Sequence, residues 1–145
     1  MQIIDYEGND NSKIKELVDL FIGHYRVTQN ASRVLVRILK KHPEKINRHL
    51  SVLLKASQNP TLHPSVRRNV LRLLQFAELP QNLQGVVAAA CFEWLTNRAE
   101  PTAIRLYSMS ALARIARDWP ELSRELRQTI DKILPYASPA FILRA

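Results

Sequence analysis

Apolar residues recur along this chain at three- and four-residue spacing, and no stretch alternates with a period of two. Ile14, Leu17, Val18, Phe21 and Tyr25 form the first such run. It predicts a helix over residues 12–25, with Ser12 able to cap it. Ala31, Val34, Leu35, Ile38 and Leu39 form the next run, over residues 28–41. Ile46, Leu50, Leu53 and Leu54 follow, then Val66, Val70, Leu73, Leu74 and Ala77 over residues 64–77. Leu83, Val87, Ala90, Cys91 and Trp94 come next, then Ile104, Tyr107, Ala111, Leu112, Ile115 and Ala116 over 101–117. Leu122, Leu126, Ile130, Ile133 and Leu134 complete the series. Each run fits the 3.6-residue period of a helix with one buried face.

The runs after the first helix pair up around prolines. Pro43, Pro80 and Pro120 each separate two amphipathic segments, and they recur at nearly equal intervals. A proline cannot continue the preceding helix but suits the first turn of the next, where its missing N–H would have no partner anyway. Glu44 and Glu121 directly after two of them favour the positive end of a new helix. The short remaining connections predict antiparallel neighbours. The expected organisation is a polar, acidic leader over residues 1–12, then a single domain over 13–145. That domain holds one helix and three helix–turn–helix units, each of roughly 40 residues as in helical repeat arrays. Residues 139–144 are expected to form a short capping helix.

One segment carries a family resemblance. His63-Pro64-Ser65-Val66-Arg67-Arg68-Asn69-Val70-Leu71-Arg72-Leu73-Leu74 resembles the first helix of a HEAT repeat: a proline at the start, then Val-Arg, then a run of aliphatics. Pro101-Thr102-Ala103-Ile104-Arg105 resembles it too, and Ser32-Arg33-Val34-Leu35 does so more loosely. Between the helices of a pair this chain uses Pro where the family carries Asp or Asn. The likeness spans residues 26–135. It implies an all-α fold, an α-solenoid of about three HEAT-like (armadillo-like) repeats with an extra N-terminal helix. It also implies a non-catalytic scaffold that binds a protein or peptide.

Composition narrows the classes further. Three glycines in 145 residues, Gly8, Gly23 and Gly85, stand too far apart for a phosphate-binding loop or a dinucleotide fingerprint. The longest charge-free apolar stretch, residues 86–92, is far short of the ~18 residues needed to span a bilayer, so no membrane role is expected. The first ten residues hold three acids and no base, the reverse of a secretory signal, and the lone Cys91 allows no internal disulfide. Both point to the cytoplasm. Cys91 lies in an apolar run and reads as a small buried hydrophobe.

The net charge of +8 is not evenly spread. Residues 26–72 hold eleven bases against one acid, Glu44, beside an acidic start and a nearly neutral second half. Arg33, Arg37, Lys40 and Lys41 follow one helix, and Arg68 and Arg72 share the corresponding face of another, which makes them candidates for binding a polyanion such as nucleic acid. In HEAT arrays such first-position helices form the convex side, whereas ligands usually meet the concave one. The helix over residues 82–97 is apolar nearly all round. It is either packed on both sides or exposes a partner groove at Ala88, Phe92 and Leu95. His24, His42, His49 and His63 show no metal-ligand spacing, so no metal, cofactor or catalytic residue is expected. Trp119, before Pro120, reads as a hydrophobic plug at a helix–helix turn. Partner identity and oligomeric state stay open, including self-association through a second stripe at Leu106, Met109 and Ala113.

Overall fold

The amphipathic runs do become helices. The computed structural model describes residues 11–23, 25–137 and 139. Among them are eight α-helices and no strand: α1 (Asn11–Gly23), α2 (Tyr25–Lys41), α3 (Pro43–Asn47), α4 (Leu50–Gln58), α5 (Pro64–Leu74), α6 (Gln81–Thr96), α7 (Thr102–Ala116) and α8 (Pro120–Ile133). A 3₁₀ turn, Leu134–Tyr136, follows α8. Most of the expected acidic leader and the expected capping helix lie outside the described residues.

Prolines start the helices, as their chemistry requires. Pro43, Pro64 and Pro120 occupy the first turns of α3, α5 and α8, and Pro101 stands at the N-cap of α7. No described helix ends on a left-handed cap, since no described residue has a positive φ. After α7, the amides of Arg117, Asp118 and Trp119 reach back three residues to Arg114, Ile115 and Ala116. After α5, Gln75, Phe76 and Ala77 do the same to Arg72, Leu73 and Leu74. Such tightened last turns satisfy carbonyls that a left-handed cap would otherwise take. Gly is scarce because these turns do not need it.

One segment departs from the expected continuity. Ile46, Leu50, Leu53 and Leu54 share a period, yet α3 and α4 are separated by a turn at Arg48 and His49. The His49 amide bonds to the Ile46 carbonyl at 2.8 Å, and the Leu53 amide to the His49 carbonyl at 3.0 Å. A three-residue turn inserted between four-residue steps keeps all four apolar side chains buried.

The chain divides into two compact units between Pro80 and Gln81. In the first, α1 packs on α2, α3 and α4, while α2 and α4 pack on α5. In the second, α7 packs on both α6 and α8. One buried stripe returns along the chain. Ala31, Leu35, Ile38 and Leu39 of α2 recur at the same spacing as Val66, Val70, Leu73 and Leu74 of α5. They recur again as Ile104, Ser108, Ala111 and Leu112 of α7, and all twelve are buried.

The shift that carries α5 onto α7 also carries a polar clamp. The Arg67 Nε–H donates to the Ser57 carbonyl in the last turn of α4, at 2.9 Å. The Arg105 Nε–H donates to the Leu95 carbonyl in the last turn of α6, also at 2.9 Å. Carbonyls at a helix C-terminus lack intrahelical partners and carry partial negative charge, so a guanidinium there satisfies both demands. The Val-Arg and Ile-Arg dipeptides are therefore working parts: the aliphatic residue enters the core, and the arginine closes the preceding helix.

Arg105→Ala is expected to cost about 1–2 kcal/mol in urea denaturation, because a partly buried charge-assisted bond is lost. Exposed Arg127→Ala is expected to stay within about 0.5 kcal/mol. Cys91 lies fully buried in α6, where burial pushes its thiol up to about 12 against a smaller downward pull from the Ser108 hydroxyl. At pH 8 it is expected to resist iodoacetamide in the folded protein and to react fully in guanidinium, as intact-mass measurement would show.

Candidate functional site

A concavity lies within the second unit, a cleft of about 720 Å³ between the first half of α6, the end of α7 and the start of α8. Its position follows from local chemistry. Proline disfavours a helical conformation in the residue before it, so Trp119 is extended (φ −135°, ψ 91°) as α7 gives way to α8. The indole is thereby turned out of both helices and lies over α6, where its Nε1–H donates to Gln84 Oε1 at 2.9 Å. Trp119 stays 44 % exposed, so it is not the buried plug that its place at the turn suggested. Ala88, Ile115 and Leu122 add apolar wall, and Glu121, Arg124 and Glu125 on α8 bring charge to the lining.

Gly85 also lines the cleft, next to Gln84 in the chain. A Cβ built there would meet nothing within 4 Å. The glycine is thus not forced by crowding, and it leaves open the space in front of Trp119. The partnership of Gln84 with the distant Trp119 was not legible, because it depends on how α6 and α8 meet.

The expected partner groove at Ala88, Phe92 and Leu95 does not form as one surface. Leu95 is completely buried, and its carbonyl is held by Arg105. Phe92 is half-buried and does not line the cleft, whereas Ala88 does. The physical reason is that α6 is packed on more than one side: Val87, Ala88, Ala90, Cys91, Trp94 and Leu95 are all buried, while Val86 stays exposed.

In the first unit, Arg33, Arg37, Lys40, Lys41, Arg68 and Arg72 are all exposed. The Lys40 ammonium lies 4.6 Å from the centre of the Phe76 ring, just past the end of α5. That contact sets the C-terminal ends of α2 and α5 side by side, so these packed helices run parallel. Neither helix contains an Asp or Glu.

Two histidines of the first unit have charged neighbours. His49 is held below its ordinary value by burial and by Arg48 and Lys15, with Asp19 opposing. His42 Nδ1 lies 3.7 Å from Glu44. Among the described residues no group of three or more His, Cys, Asp or Glu could hold a metal ion. No described helix is long and apolar enough to cross a membrane.

Comparison with known proteins agrees with this repeated helical design. A family profile described as a HEAT repeat domain matches residues 1–142. No curated protein and no solved structure matches the chain. The buried stripe that returns in α2, α5 and α7, the helix-starting prolines and the near-complete match together show that the chain belongs to the HEAT repeat domain family.

Proposed function

We propose that the protein is a non-catalytic scaffold that holds a segment of a partner protein in the Trp119 cleft. HEAT repeats generally mediate protein interactions, which supports the class of role. The observation that carries the site is the exposed, oriented indole of Trp119 beside the open space at Gly85. Tryptophan offers a large apolar area with few rotatable bonds, and its hydrogen bond to Gln84 reduces the ordering needed on binding. The apolar walls suit one aliphatic or aromatic side chain of the partner. Glu121 and Glu125, one helical turn apart on α8, favour a basic residue next to it.

Random peptides displayed on phage and selected on the immobilised protein provide the test, with affinities then read by fluorescence anisotropy. The expected consensus is an apolar anchor beside Lys or Arg. Gly85→Trp, which fills the cleft, and Trp119→Ala, which removes the platform, are each expected to weaken binding at least about tenfold, or 1.4 kcal/mol. Gly85→Ala is expected to keep binding and to raise stability by about 0.5–1 kcal/mol through helix propensity. Selection of no peptide, or of peptides indifferent to Gly85→Trp, would refute the assignment.

A further inference from the structure

We propose that the first unit carries a separate binding surface, a ridge on α2 and α5 that engages the phosphate backbone of duplex nucleic acid without reading its sequence. The observation behind it is a register. The buried stripes of the two helices superpose when Ala31 is set on Val66, and the same shift pairs Arg33 with Arg68 and Arg37 with Arg72. The Lys40–Phe76 contact joins positions within one residue of that shift, so the correspondence is also a physical alignment of parallel, packed helices. Two rungs of arginine result, with Lys40 at one end. Residues four apart on a helix rise about 6 Å, and packed helices lie about 8–10 Å apart. The five cations therefore occupy a patch roughly 10 Å on a side.

The ridge lacks what a purely structural surface would carry. Among the described residues, no hydrogen bond or ion pair holds Arg33, Arg37, Arg68 or Arg72. Lys41 is not free of partners and is left out of the ridge. The nearest acids in sequence, Glu44 and Glu78, lie beyond the ends of the two helices. Arg33 and Arg37, Arg37 and Lys40, and Arg68 and Arg72 stand at three- or four-residue spacing, where like charges repel. A dense line of negative charge relieves that repulsion, and guanidinium is the group whose geometry suits phosphate oxygens. The positions equivalent to Arg68 and Arg72 in α7 are Leu106 and Ser110, so the arginines are not a general requirement of the repeat.

Duplex rather than single-stranded nucleic acid fits the surface. Stacking platforms for unpaired bases need exposed aromatic rings between the cations. Phe76 is an exposed aromatic at the end of α5, and Lys40 already sits over its face. A row of cations without rings suits a regular backbone, with affinity set by counterion release.

The test uses the full chain and two labelled duplexes of unrelated sequence, titrated over a range of salt. Both are expected to bind alike, with a log–log salt slope of about −4 to −5 for five phosphate contacts. Arg33→Glu/Arg37→Glu/Arg72→Glu is expected to weaken binding at least tenfold at low salt and to roughly halve the slope, with an unchanged circular dichroism spectrum. Lys55→Glu/Arg117→Glu/Arg127→Glu makes the same change in net charge outside the ridge and is expected to bind within threefold of the parent. If the ridge triple loses its helical spectrum, Arg33→Gln/Arg72→Gln replaces it, with a loss of at least threefold expected. No binding at low salt would overturn the proposal, as would equal losses in the ridge and control variants. Poly-glutamate that competes as well as duplex at equal charge would assign the ridge to an acidic protein instead, and would overturn it too.

Discussion

A pair of short helices cannot bury its own apolar face, and everything else in this molecule answers to that constraint. The four-residue stripe of α2 is satisfied partly by α5, which carries the same stripe one repeat later. The stripe of α7 is satisfied between α6 and α8. Because the burial is shared between successive helices, their spacing along the chain has to repeat. The prolines, the tightened helix ends and the short connections all serve to keep that spacing.

The arginine clamps show how a polar group is placed within such an arrangement. Arg67 and Arg105 each follow the first buried aliphatic residue of their helix, Val66 and Ile104. That position fixes their reach, so each guanidinium meets a carbonyl ten residues earlier in the chain. Neighbouring arginines have another fate. Arg68, directly after Arg67, turns to solvent with Arg72. One helical step of about 100° thus separates a structural cation from a free one.

The two proposed surfaces rest on opposite physics. The Trp119 cleft joins apolar walls and one ordered indole to two carboxylates and a guanidinium on α8, so it suits a short-range contact with a single anchored side chain. The α2–α5 ridge carries five exposed cations, so it suits a long-range, salt-sensitive one. They lie in different units of the chain and so can be altered separately.

The periodicity of apolar residues and the prolines by themselves determined that the chain is helical, that helices start at Pro43, Pro64 and Pro120, and that α2, α5 and α7 bury a common stripe, because a 3.6-residue pattern and a helix-starting proline are local facts. The concentration of charge in residues 26–72 was equally plain. Tertiary structure alone decided the rest. It buried Leu95, which the sequence left as a candidate groove residue, because α6 is apolar all round and its pattern cannot say which sides are covered. It exposed Trp119, because a backbone extended before Pro120 turns the ring away from both helices. It also packed α2 on α5 with Lys40 over the Phe76 ring, because which helices meet is set by packing and not by distance along the chain.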